Sequence, residues 1–236
     1  EAEVQRVSRH FVDPDYLALE NFDYANQDAE YPGFARWRSR NTRAHKRPGY
    51  VAVTLSLKPT GVAPGDLTDK QLDAVADLAE RFSFGFLRTS HEQNIILADV
   101  EQRQLHALWL ELREGGFATP NIGLLTDIIC CPGGDYCSLA NAKSIPIAES
   151  IQRRFDDLDY LFDIGEIDLN ISGCMNACGH HHVGHIGILG VDKKGEEFYQ
   201  VSLGGNAARG ASLGKILGPS FAQDDMADVI EKLIAV

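Results

Sequence analysis

TDIICCPGGDYCSLANAKS (residues 126–144) and NISGCMNACGHHH (residues 170–182) hold all five cysteines of the chain. Five residues separate Cys131 from Cys137, 36 residues follow, and three separate Cys174 from Cys178, with Cys130 standing beside the first of the four. Two thiolate pairs on glycine-containing turns form a container for a soft metal centre. The wide first pair is unusual for a zinc knuckle, and the short cysteine runs of ferredoxins are absent. Spacing alone therefore leaves both a cubane [4Fe–4S] cluster and a zinc ion open. Gly133, Gly134, Gly173 and Gly179 would let backbone amides approach the sulfurs of a cluster. The first ten residues carry no apolar export region, so reduced cysteines in a cytoplasmic protein are expected rather than disulfides.

Working outward, residues 50–58 (YVAVTLSLK) alternate as a strand does. Thr68 is placed to cap a helix whose apolar face is Leu72, Val75, Ala76, Ala79 and Phe82. Two short strands follow at 84–90 and 94–100. A second amphipathic helix at 101–114 presents Leu105, Leu108, Trp109 and Leu112 and is closed by Gly115 and Gly116. With a last strand near 117–122, this order is a ferredoxin-like split βαβ unit. Beyond Cys137, residues 138–155 read as a helix in which Pro146 marks a kink or a restart. Strands are expected at 166–172, 185–191 and 198–203, then a glycine-rich loop and a closing helix at 224–235. Residues 1–48 show no sustained period, and their scattered aromatics suggest an extended arm lying over another surface.

The net charge of −12 argues against a nucleic-acid or membrane-surface binder, and no apolar run is long enough to span a bilayer. The charge is uneven. Residues 1–31 carry eight acids, whereas Arg36, Arg38, Arg40, Arg43, Lys46 and Arg47 fall within twelve residues that contain none. That segment is either a solvated linker or an anion-binding strip folded against carboxylates.

CCPGGDYC followed by NISGCMNACG resembles the siroheme/[4Fe–4S] signature of assimilatory sulfite and nitrite reductases: Cys-x5-Cys, some three dozen residues, then Gly-Cys-x-Asn-x-Cys-Gly. RTSHEQNIIL (residues 88–97) is similar to that family's strand-turn-strand ending in Gln-Asn, and VSLGGN (residues 201–206) to its Leu-Gly-Gly-Asn loop. The resemblance extends from about Gly49 to the C-terminus. It implies that Cys131, Cys137, Cys174 and Cys178 bind the cluster and that Cys178 is also the axial ligand of siroheme. Gln93, Asn94, Asn176 and Asn206 would lie against the macrocycle. Cys130 would sit beside it as a small packing residue, since free cysteine commonly behaves as a small hydrophobe. Siroheme carries eight carboxylates, which marks Arg88, Arg209, Lys143 and the 36–47 segment as candidate contacts. The His180–His182 run cannot aim three adjacent rings at one ion, so polar packing or a carboxylate contact is expected there.

The implied activity is six-electron reduction of sulfite to sulfide or of nitrite to ammonia, with electrons from a ferredoxin or an NADPH flavoprotein. The implied fold is α+β: an arm or linker (1–48), a ferredoxin-like unit (49–125) and a mixed α/β siroheme/[4Fe–4S]-binding domain (126–236). Family catalytic chains have two pseudo-symmetric halves, and the first half supplies the Arg and Lys residues that grip the substrate. The chain is expected to be the C-terminal half, partnered by an N-terminal half of the same enzyme. A compact, self-contained siroheme reductase and a non-catalytic iron–sulfur or zinc protein are the alternatives.

Overall fold

The computed structural model describes residues 1–9 and 11–236. Two sheets, each with its own hydrophobic core, account for most of it. The first is antiparallel, in the order β1-β2-β4-β3, built from β1 (Thr42–Ala44), β2 (Tyr50–Leu55), β3 (Arg88–Thr89) and β4 (Ile95–Glu101). Helices α4 (Asp69–Phe82) and α5 (Leu105–Gly115) share its core. Thr68 starts α4 with a capping box: its hydroxyl accepts from the Gln71 amide while the Gln71 side chain accepts from the Thr68 amide. Gly116 ends α5 in the left-handed conformation, φ +78°. The four apolar residues expected on α5 are all buried; on α4, Val75 and Ala79 are buried with Leu78, whereas Leu72 and Ala76 of the expected face are exposed.

The first 48 residues differ from a plain extended arm. Short helices α1 (Ala2–Ser8) and α2 (Ala25–Glu30) are joined by 11–24, which has no regular structure, and α3 (Pro32–Asn41) begins on Pro32, where a missing N–H costs nothing. Phe34 and Trp37 of α3 are fully buried in the core of the first sheet. The irregular stretch does lie over other elements: the Tyr16 hydroxyl donates to Asp99 (2.6 Å), and the Leu17 amide donates to the Tyr50 hydroxyl (3.0 Å). β1 occupies the sheet edge next to β2, and no strand forms at 117–122. That stretch instead meets the residues just past β2 through single bonds, such as the Ser56 amide to the Phe117 carbonyl at 3.2 Å.

The second sheet runs β5-β6-β7-β8-β9: β5 (Ile129–Cys130), β6 (Leu169–Ser172) and β7 (Ile186–Lys193) are parallel, while β8 (Glu196–Leu203) and β9 (Lys215–Ile216) continue it antiparallel. β6 is buried at every residue, as a central parallel strand with both faces covered must be. Lys194 and Gly195, at φ +60° and +87°, make the two-residue turn between β7 and β8. Helices α7 (Ile145–Arg154), α8 (Leu158–Ile164) and α9 (Met226–Ile234) pack against this sheet. Pro146 lies in the first turn of α7, so it starts the helix; residues 138–144 are not helical.

Candidate metal centre

β5 and β6 are parallel neighbours, with Cys130 opposite Ile171, so both open their C-terminal ends on the same edge. Cys131 follows β5 directly, and Gly173-Cys174 follows β6. The Cys131 amide extends the ladder to the Ile171 carbonyl (3.1 Å), and the Gly173 amide donates to Cys131 Sγ (3.0 Å). Backbone N–H groups donating to ligand sulfurs are one way a protein orients and tunes a cluster. The Gly173 carbonyl accepts from the Asn141 and Ala142 amides at 2.9 and 3.0 Å, which binds the first loop to the second. A Cβ at Gly173 would stand 2.6 Å from the Ala142 carbonyl oxygen and 2.8 Å from Gly133 Cα, so only glycine allows the two loops this approach.

Cys137 ends the single-turn helix α6 (Gly133–Tyr136), its amide donating to the Gly133 carbonyl at 2.9 Å. The second loop turns through Ala177, at φ +56°, whose amide donates to the Cys174 carbonyl (3.1 Å). The Gly179 amide then donates to Ser172 Oγ at 3.1 Å. Cys174 is buried, Cys131 and Cys137 are half-buried, and Cys178 is exposed. Among the described residues, no three or more His, Cys, Asp or Glu side chains close on a site for a metal ion. A tetrahedral zinc needs its sulfurs about 2.3 Å from one point. Four thiols on two glycine-pinned loops, with an amide already on one sulfur, are a donor set that a polynuclear cluster can use.

Cys130 is not arranged as a fifth ligand. Its buried thiol donates to the Cys131 carbonyl (3.2 Å), and burial, reinforced by neighbouring Cys131, pushes it well above the ordinary thiol range. The histidines scatter. His180 is exposed, and His181 meets His182 edge-on at 5.3 Å with a buried Nδ1 that has no partner. Burial, then His182, holds His181 below its ordinary pKa. His185 Nδ1 accepts from the Asp168 amide at 3.0 Å.

The amides expected against a macrocycle divide. Gln93 is fully engaged: Nε2 donates to the Cys130 carbonyl and Oε1 accepts from the Cys130 amide, both at 2.8 Å. Asn94 is buried, accepting from the Leu57 amide (3.1 Å) and donating to Asp127 (3.0 Å). Asn176, two residues before Cys178, is exposed; Arg88 and Arg209 are exposed too. Asn206 accepts from the Ala208 amide (2.7 Å). It lines a cavity of about 460 Å³ between the two units together with Arg43, Asn94, Asn170 and His185.

The basic segment is folded against the chain's own carboxylates. Arg36 pairs with Asp159 (2.6 Å), Arg38 with Asp28, Arg40 with Glu166 (2.8 Å), and Lys46 and Arg47 with Asp13 (both 3.5 Å). Arg43 donates to the carbonyls of Arg40 and Thr42.

This arrangement finds its counterpart among known proteins. The nitrite/sulfite reductase ferredoxin-like half domain matches residues 44–115, and the nitrite and sulphite reductase 4Fe-4S domain matches residues 124–236, which include every cysteine. The chain belongs to the siroheme/[4Fe–4S] nitrite and sulfite reductase family. A ferredoxin–nitrite reductase of Synechococcus elongatus is 30% identical over 87% of this chain and 40% of its own length. A sulfite reductase [ferredoxin] of Mycolicibacterium paratuberculosis is 29% identical over 78% of this chain and 35% of its own. This family member therefore spans well under half the length of these relatives. The NirA protein of Mycobacterium tuberculosis superposes with a TM-score of 0.66 at 26% identity, over 83% of this chain and 36% of that one. Dissimilatory sulfite reductase I shares the fold, with a TM-score of 0.65 at 14% identity. Siroheme and a [4Fe–4S] cluster fit this family member, whose donor set and glycine-cleared loops match what a cluster requires.

Proposed function

We propose that the chain is the cluster-bearing part of a siroheme-dependent reductase of sulfite or nitrite. Cys131, Cys137, Cys174 and Cys178 hold the cluster, and Cys178 is shared with the siroheme iron. The observation that carries this reading is the Gly173 amide donating to Cys131 Sγ at the joint of two parallel strands whose ends bear the thiols. When bound, the two cofactors supply one-electron transfers to an iron that takes up the substrate. The chain's own residues fix the geometry around them. Gly173 and Gly179 bring their loops to van der Waals limits, and the Gly173 amide orients the Cys131 sulfur. Cys178, exposed on the loop after β6, is the thiol able to face a second cofactor.

The substrate grip lies elsewhere in the enzyme. A self-contained reductase needs free Arg or Lys side chains for an oxyanion, and the only dense supply, residues 36–47, is committed to Asp13, Asp28, Asp159, Glu166 and backbone carbonyls. An N-terminal half of the family's kind is the source this reading assigns. Ferredoxin, the donor named for the relatives, is the donor proposed here ahead of an NADPH flavoprotein. Anaerobic purification with iron and sulfide analysis and an optical spectrum tests the assignment: cluster and siroheme bands are expected. Their absence overturns it, and viologen-driven sulfite or nitrite reduction by this chain alone overturns the placement of the grip.

A further inference from the structure

The strand expected over residues 50–58 ends at Leu55, and Lys58, three residues beyond it, is completely buried. Its ammonium reaches two places. One is Asp127 Oδ1 at 2.6 Å; the other is the Glu92 carbonyl, in the turn between β3 and β4. Asp127 is also held from other directions, its Oδ1 accepting from Asn94 Nδ2 (3.0 Å) and its Oδ2 from the Gly123 amide (2.9 Å). The Lys58 carbonyl accepts from Asn121 Nδ2 at 3.4 Å. The ion pair therefore joins the ferredoxin-like unit to the strand entry of the second sheet, four residues before Cys131.

The residue after Glu92 is Gln93. It holds φ +56°, left-handed backbone that is strained for a non-glycine residue. Gly65 makes room for it, since a Cβ there would come within 3.1 Å of Gln93 Cβ. What the strained turn gains is the double hydrogen bond from the Gln93 carboxamide to both backbone groups of Cys130. Lys58 thus grips the strand at Asp127 and, through the Glu92 carbonyl, the turn that clamps it again at Cys130.

We propose that Lys58 is a positioning residue for Cys131, acting through the Glu92–Gln93 turn and its clamp on the Cys130 backbone. The inference rests on Cys131 being a cluster ligand, and it names the device that sets where that sulfur lies. A buried charge pair costs desolvation and is weak evidence of stability on its own, so its use here is placement.

Hydrogen exchange on the full chain tests this without requiring a cofactor. Lys58→Met and Gln93→Leu are each expected to speed exchange across residues 128–134 by about tenfold. The double variant should fall well short of the product of the two single effects, because part of the Lys58 effect runs through Gln93. Val75→Ala, in the core of the first sheet, is the control for general loosening and should leave that segment unchanged at an equal loss of thermal midpoint. Where Lys58→Met does not fold, Lys58→Met with Asp127→Asn removes both charges and is expected to loosen the same segment. In cluster-loaded protein, both single variants should also alter the reduced-cluster EPR line shape. Exchange in Lys58→Met no faster than in Val75→Ala, or effects that multiply in the double variant, would overturn the proposal. A chain that takes up no cluster defeats the reading of its function, and the exchange comparison still decides for or against Lys58.

Discussion

At the scale of single residues, the two adjacent cysteines separate by environment. Cys130 is a buried, protonated thiol hydrogen-bonded to a carbonyl, whereas Cys131 receives a backbone amide on its sulfur. Cys130→Ala is therefore expected to keep the full iron and acid-labile sulfide content per chain, while Cys131→Ala loses it; iron and sulfide assays on anaerobically prepared protein check both. His181 supplies a pH signature. Its pKa lies below the ordinary 6.5 because burial disfavours the imidazolium. The unfolded chain therefore binds the proton more readily than the folded one. Stability is complete above pH 6.5 and falls as the pH drops below it, toward the lowered folded value. Thermal midpoints measured from about pH 7 to pH 5 should show this decline, and His181→Gln should flatten it.

At the scale of elements, the site is a property of two loops more than of four side chains. Gly173→Ala places a methyl 2.6 Å from a backbone oxygen and 2.8 Å from a backbone carbon, and neither can swing aside. The variant is expected to lose about 2 kcal/mol or more of stability. It should also lose cluster uptake, because relieving the clash parts the loops. Chemical denaturation and the visible spectrum read the two effects separately. The loops themselves show how far motif and local structure differ. Cys-x5-Cys and Cys-x3-Cys were visible as ligand spacing, but the helix expected from 138 onward begins only at Ile145. The intervening residues are needed as an irregular tether, with Asn141 and Ala142 donating to the Gly173 carbonyl. A tertiary hydrogen bond overrode local propensity there.

For the whole molecule, the decisive surprise is how the first 48 residues are used. Scattered aromatics without a period signalled a covering arm, yet Phe34 and Trp37 are among the most buried side chains of the first core. Trp37→Ala is expected to cost roughly 3–5 kcal/mol by equilibrium denaturation. Trp37→Phe should cost much less, because the indole Nε1 is buried without a partner. The basic strip is the second case. Arg36 and Arg40 also stack over Phe162 of α8, at 4.8 and 5.4 Å, so the strip staples one unit to the other. Charge counting could identify a strip that wanted carboxylates but could not say whose they were.

The sequence by itself determined the thiol set, the ferredoxin-like order of helices and strands, the Thr68 cap and the Gly116 stop. Each is a local matter of spacing, period or backbone preference, carried within a few neighbouring residues. The tertiary structure alone decided that β1 fills the sheet edge beside β2 while no strand forms at 117–122, and that Gln93 commits its amide to the Cys130 backbone. It alone decided too that Lys58 is buried against Asp127. The last two join residues tens of positions apart, and a lysine just past a strand looks the same in sequence whether its ammonium meets water or a carboxylate. What separates the two is desolvation, which exists only once the second unit has closed over the first.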